Sequence, residues 1–175
     1  MQQQVTAIVN KCTGEYLMEK TNVMRILDQK KIPHKVHTYA GTEAISGPEV
    51  AAVLGQNPAQ VFKTLVTIGK SGQHYVFVVP VCKELNLKKA AAAVGEKNIE
   101  MIKSKELLPL TGYIHGGCSP IGMKKFFTTT VDNSAGGCET IMFSAGKIGY
   151  QVEMKLTDLQ KVIRLQLADI CDVPV

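Results

Sequence analysis

The sequence predicts one domain of mixed α/β structure, of the α+β kind, in which helices pack around a largely antiparallel sheet. Three observations support this. The run Val61 to Ile68 is rich in β-branched residues, and Gly69-Lys70-Ser71-Gly72 joins it to a second strand, His74 to Val79, in the pattern of a hairpin. Capped helical segments are interspersed with these and later strands, and no repeat, low-complexity tract or linker divides the 175 residues. A chain of this size buries about 70% of the surface its unfolded form exposes.

Residues 1–18 show little periodicity and are expected to be an N-terminal extension, with a single domain over 19–175. Thr21 can cap a helix through about Lys30, with Val23, Met24, Ile26 and Leu27 as its apolar side, and Pro33 ends it. His34 to Tyr39 alternates as a short strand. Gly41 to Gly47 is loop, after which Pro48 opens a helix through Val53 that Gly55 terminates. Asn57-Pro58 starts a turn before the hairpin. Leu87 to Val94 is alanine-rich and helical with Gly95 as its stop; Asn98 to Ile102 is a strand, and Ser104 caps a short helix before Pro109. Residues 111–122 form a glycine-dense loop. Strands follow at Phe126 to Val131, Thr140 to Ser144 and Gly149 to Met154, and Thr157 caps a final helix through about Ile163.

A content of 45% hydrophobic and 20% charged residues is that of a globular chain, which excludes disordered and fibrous classes. Apolar runs such as Tyr75 to Val79 fall far short of the roughly 20 residues that span a bilayer. The opening Met-Gln-Gln-Gln-Val-Thr lacks a basic segment followed by an apolar run, so a cytoplasmic protein without a membrane partner is expected. Cys12, Cys82, Cys118, Cys138 and Cys171 are scattered and odd in number, with no CxxC pair, and read as reduced thiols. No metal and no other cofactor is expected. A net charge of +5 and a pI near 8.9 suit contact with a phosphate backbone over a small area, not the grip of a long DNA duplex.

The familiar catalytic constellations are missing from the sequence, which has no GxSxG elbow, P-loop or HExxH motif. His34, His37, His74 and His115 are too scattered for a preassembled metal site, and each reads as a hydrogen-bonded or exposed histidine. Two features remain. Lys63 sits inside an apolar strand, where strand alternation puts Phe62 and Thr64 on one face and Lys63 and Leu65 on the other. It is either a placed charge or a strand-end residue whose head reaches water. The loop Thr111 to Gly122 holds Gly112, Gly116, Gly117 and Gly122, and such loops either bring backbone N–H groups to an oxygen or simply connect strands.

Taken in order, these segments resemble the YbaK/EbsC family of aminoacyl-tRNA editing proteins, in particular its free-standing YbaK-type deacylases. The similar residues are His37-Thr38-Tyr39, Gly55 with Asn57-Pro58, Gln60-Val61-Phe62-Lys63-Thr64-Leu65, Pro80, and Leu85 to Lys89. They continue through Thr111-Gly112-Tyr113, the stretch Gly116 to Lys125 and Gly146-Lys147, so that the resemblance covers about residues 20–170.

The resemblance implies a sheet curved around a small pocket and removal of noncognate amino acids from tRNA, chiefly cysteine from proline tRNA. Lys63 matches the family's essential lysine, Gly116 a pocket glycine and Tyr39 a pocket tyrosine. In this reading Lys63 anchors the ester or terminal adenosine, and Gly116 and Gly117 donate backbone N–H groups to the developing oxyanion. Tyr39, Ser46, Thr64, Thr111, Tyr113, Ser119 and Gln151 form the substrate-binding set. The substrate's own thiol attacks, releasing a thiolactone, and no protein nucleophile is required; Cys118, where the family commonly has an apolar residue, is not assigned one. Lys124 and Lys125 are expected to contact acceptor-stem phosphates, and prolyl-tRNA synthetase is an expected partner. Two departures concern substrate choice: Gln151 stands where the family often has aspartate, and Ser46 lies near a family phenylalanine. A deacylase for alanine on proline tRNA and a non-hydrolytic binding module for tRNA ends or a synthetase are the alternatives. Thr64 favours cysteine over alanine, since the alanine-specific relatives usually have asparagine there.

Overall fold

The computed structural model describes residues 8–9, 16–17 and 19–172. The expected extension at 1–18 lies largely outside these; within it, β1 (Ile8–Val9) pairs antiparallel with β2 (Tyr16–Leu17). Helix α1 (Asn22–Gln29) begins where its sequence says it should, with the Thr21 hydroxyl accepting from the Met24 N–H at 3.3 Å. It buries Val23, Met24 and Leu27. Strand β3 (Lys35–Thr38) follows, and helix α2 (Gly47–Val53) is opened by a capping box between Ser46 and Glu49.

The predicted hairpin forms from β4 (Phe62–Gly69) and β5 (His74–Pro80), in antiparallel register from Phe62 opposite Pro80 to Ile68 opposite His74. Next come β6 (Glu84–Leu85), α3 (Leu87–Val94), β7 (Ile99–Met101) and α4 (Ser104–Thr111). The chain ends with β8 (Thr128–Asp132), β9 (Ile141–Ser144), β10 (Tyr150–Met154), α5 (Leu156–Val162), β11 (Gln166–Ala168) and β12 (Cys171–Asp172).

Two sheets carry the fold. One has the order β3-β10-β9 and is antiparallel throughout. The other runs β11-β8-β5-β4-β7, and its β5–β8 and β8–β11 pairings are parallel because each is joined by a long crossover, the first through α3 and α4 and the second through β9, β10 and α5. A bridge between Val61 and Met142 joins the sheets, and β6 pairs with β12 beside them. Strand β5 reads as an unbroken apolar run because both its faces are covered. Val76 and Val78 join the main core with α1 and the three-stranded sheet, while Tyr75, Phe77 and Val79 pack with Ala90, Ala91 and Ile99.

Three expectations at helix ends need correction. Helix α4 continues through Pro109 to Thr111, because the missing N–H forfeits a single bond while Gly112, at φ 86°, closes the last turn onto the Leu108 carbonyl. Its N-cap is Lys103, whose N–H donates to the Glu106 carboxylate at 2.7 Å, so Ser104 is its first helical residue. In α5 the cap is Lys155, and Thr157 lies inside the first turn.

Candidate active site

A cavity of about 250 Å³ opens where the start of β4 leaves the junction of the two sheets. Lys63 and Thr64 reach it from β4, Gln151 from the central strand β10, Tyr39 from the end of β3, Ser46 from the cap of α2, and Gly116 from the glycine loop. Its floor is apolar, with Val50, Phe62 and Val81. Gly47 is required for this closure: a Cβ there would collide with the Val81 side chain, so α2 could not lie so close to the end of β5.

Lys63 is the one lysine or arginine lining the cavity among the described residues, and no carboxylate lines it. Its side chain is 31% exposed, and its ammonium lies 3.6 Å from the Glu84 carboxylate. It stands second in β4, so the strand-end reading and the placed-charge reading describe the same geometry: the stem is packed and the head faces the cavity mouth. Next to it, the Thr64 hydroxyl is buried without a hydrogen-bond partner in the protein. Gln151 is buried and accepts from the Gln56 amide at 2.9 Å, which leaves its own amide N–H groups without a protein acceptor among the described residues.

The remaining residues expected at the substrate sit elsewhere. Thr111, Tyr113 and Ser119 are buried and do not line this cavity. The Thr111 hydroxyl donates to the Leu107 carbonyl at 2.8 Å and accepts from the Tyr113 N–H, the Tyr113 hydroxyl donates to the Ile121 carbonyl, and Ser119 accepts from the Ile121 N–H at 3.3 Å. They supply the polar partners that a loop without regular pairing needs. Gly117 must also be corrected as an oxyanion donor, since its N–H is committed to the Ile114 carbonyl at 3.0 Å. The N–H groups of Gly116 and Cys118, both cavity residues, have no such acceptor among the described residues. Burial pushes the Cys118 thiol up to about 12, which disfavours its thiolate, the nucleophilic form. Lys124 and Lys125 are exposed, and the Lys124 stem lies over Gly112.

Residues 43–162 match the family model described as an aminoacyl-tRNA editing domain. The chain belongs to this family. It is 44% identical over 153 residues to EbsC of Enterococcus faecalis, described as a candidate Cys-tRNA(Pro)/Cys-tRNA(Cys) deacylase, a match covering 87% of this chain and 93% of that protein. A proline–tRNA ligase of Pelobacter propionicus is 28% identical over 99 residues, which are 57% of this chain and 17% of the ligase. The fold is shared with the hypothetical protein APE2540, with a TM-score of 0.78 at 21% identity over 86% of this chain and 99% of that one. It is shared equally with a candidate trans-editing enzyme for prolyl tRNA synthetase, with a TM-score of 0.77 at 23% identity over 88% and 99% of the two chains. The YbaK/EbsC resemblance read from the sequence is thereby borne out, as is the mixed fold around a pocket.

Residues that sequence reasoning passed over also stand in or beside the cavity. Glu84 approaches Lys63 only because β6 doubles back beside β4 and β5, and a two-residue strand leaves no periodic signal. His115, read as an ordinary histidine, lines the cavity beside Gly116. Gln56 follows the Gly55 turn and fixes the Gln151 amide, a contact across 95 positions that spacing cannot show.

Proposed function

We propose that this chain is an aminoacyl-tRNA deacylase acting in trans, chiefly on cysteine attached to proline tRNA, by a substrate-assisted route. The observation that carries this reading is the cavity's chemistry: a lone ammonium, an unpartnered buried hydroxyl and a protonated thiol, in a space of about 250 Å³ that suits a small side chain. An aminoacyl ester needs little activation, so positioning and oxyanion stabilisation suffice. The cysteinyl sulfur attacks its own ester carbonyl; the C–S bond forms, the C–O bond breaks, and the thiol proton ends on the departing ribose oxygen. Lys63 anchors the ester, and the Gly116 and Cys118 N–H groups face the developing oxyanion. Thr64 and Gln151 hold the substrate's polar groups, and Tyr39 and Ser46 form the rim.

The protein works in the cytoplasm as a single domain over 19–175 with 1–18 as an extension, takes the acceptor end of tRNA with Lys124 and Lys125 on its phosphates, and gains tRNA selectivity from prolyl-tRNA synthetase. Among the described residues, no helix is long and apolar enough to cross a membrane.

A second reading, alanine removal, is favoured by Gln151, which lacks the charge of an aspartate. The deciding experiment measures amino-acid release from proline tRNA charged with cysteine, alanine or proline, using wild type and Lys63→Ala. Loss of cysteine alone, abolished in the variant, supports the proposal. Preferential alanine release moves the substrate to the second reading, and release of neither overturns the deacylase.

A further inference from the structure

A second cavity, of about 330 Å³, lies directly behind the glycine loop and has no part in the chemistry described above. Lys20, Arg25 and Lys147 line it together with one carboxylate, Glu19. The Lys124 stem crosses its edge, with its Cγ placed 3.3 Å from where a Cβ on Gly112 would stand. Ile114 and Ile148, 40% and 48% exposed, give it an apolar rim.

The two cavities are lined by consecutive residues of the glycine loop. Ile114 faces the basic cavity while the next residues, His115 and Gly116, face the ester cavity. Ile148 lines the basic side and lies within 3.6 Å of the position a Cβ on Gly116 would take. A ligand whose terminal ester meets Lys63 and whose chain continues past Gly116 therefore enters a space lined by ammonium and guanidinium groups. Two of the cations are partly neutralised, Lys147 by Glu19 at 3.0 Å and Lys20 by Asp28 at 2.7 Å. Arg25 has no carboxylate within ion-pair distance among the described residues.

We infer that the basic cavity binds the phosphodiester backbone of the single-stranded 3′ end of the RNA substrate, with Arg25 as its principal contact. Cations that follow a strand, beside apolar side chains against which sugars and bases can lie, are what an unpaired strand needs. The inference rests on the deacylase reading for the identity of the RNA, but its binding arm can be tested apart from it.

The test measures equilibrium binding of an uncharged acceptor-stem hairpin with an unpaired 3′ end, across a salt series, for Arg25→Gln, Lys147→Gln and Glu19→Gln. Arg25→Gln should weaken binding about five- to tenfold and reduce the log–log salt slope by about 0.7, the value of one contact on a single strand. Lys147→Gln should act in the same direction. Glu19→Gln should tighten binding, because it frees Lys147, and a merely structural role would not produce that gain. Arg25→Gln should also lose much more on a charged hairpin than on aminoacyl-adenosine. Unchanged affinity and slope in Arg25→Gln, absence of hairpin binding by the wild type, or equal losses on both esters would overturn the inference. Hairpin binding that follows this pattern without ester cleavage would instead leave it standing and remove the deacylase reading.

Discussion

The Lys63 ammonium and the Glu84 carboxylate stand 3.6 Å apart at the mouth of the ester cavity, held by β4 and by the short β6 that doubles back beside it. Glu84 is 73% exposed on its side chain, so the pair adds little to stability. Lys63→Ala should lower kcat for aminoacyl-tRNA by about 10²- to 10³-fold, the usual cost of removing a preorganised electrostatic contact. Glu84→Gln should lower it by only a few fold, the size of an exposed ion pair. Single-turnover deacylation compares the two, and an equal loss in both would show that Lys63 does not act alone.

Thr64→Val separates function from stability. The Thr64 hydroxyl is buried with no partner in the protein, so an isosteric methyl leaves no new polar group unsatisfied. Thermal unfolding should be unchanged or slightly raised, while kcat/KM for the charged tRNA falls about tenfold. A matched drop in stability would place a missed hydrogen bond at that hydroxyl.

Gly47→Ala should act through shape. Its new Cβ meets the Val81 side chain and pushes α2 away from the cavity, at a cost of about 1–3 kcal/mol, the range for overpacking. KM should rise with the fall in Tm. Adding Val81→Ala should recover much of both, since neighbouring changes that share one clash are not additive.

Alkaline stability reports the buried acids. Burial holds the Cys118 and Cys171 thiols up to about 12, well above the ordinary thiol range, with the charge of Asp132 adding to burial at Cys171. Burial also holds Tyr113 up to about 12 from 10.0. The folded protein therefore keeps protons that the unfolded chain releases, so its stability is full below about pH 9 and falls as pH rises toward 12. Cys118→Ala should flatten that fall by about one proton, roughly 1.4 kcal/mol per pH unit. The same variant should keep its deacylase activity, and Cys118 should resist alkylation at neutral pH; rapid alkylation would restore it as a nucleophile.

Local chemistry made much of this protein legible in its sequence. The β-branched runs flanking Gly69-Lys70-Ser71-Gly72 specified the central hairpin, and Thr21, Pro48 and Gly95 marked helix ends through caps and turns that depend on a few neighbouring residues. The ordered residues around Lys63 and Gly116 pointed to the editing family before any contact was visible. Tertiary structure alone decided what those residues meet. Thr111, Tyr113 and Ser119 belong to the same motif as Gly116, yet they turn inward to satisfy the loop's backbone. Gly117 spends its N–H on a turn, and the partners of Lys63 and Gln151 come from Glu84 and Gln56 in distant segments. The short strands form only through distant partners, β11 on the edge of β8 and β6 with β12, and two or three residues carry no periodic signal of their own. The adjacency of the two cavities has the same origin, since the 112–118 and 146–149 loops meet only once both sheets are in place.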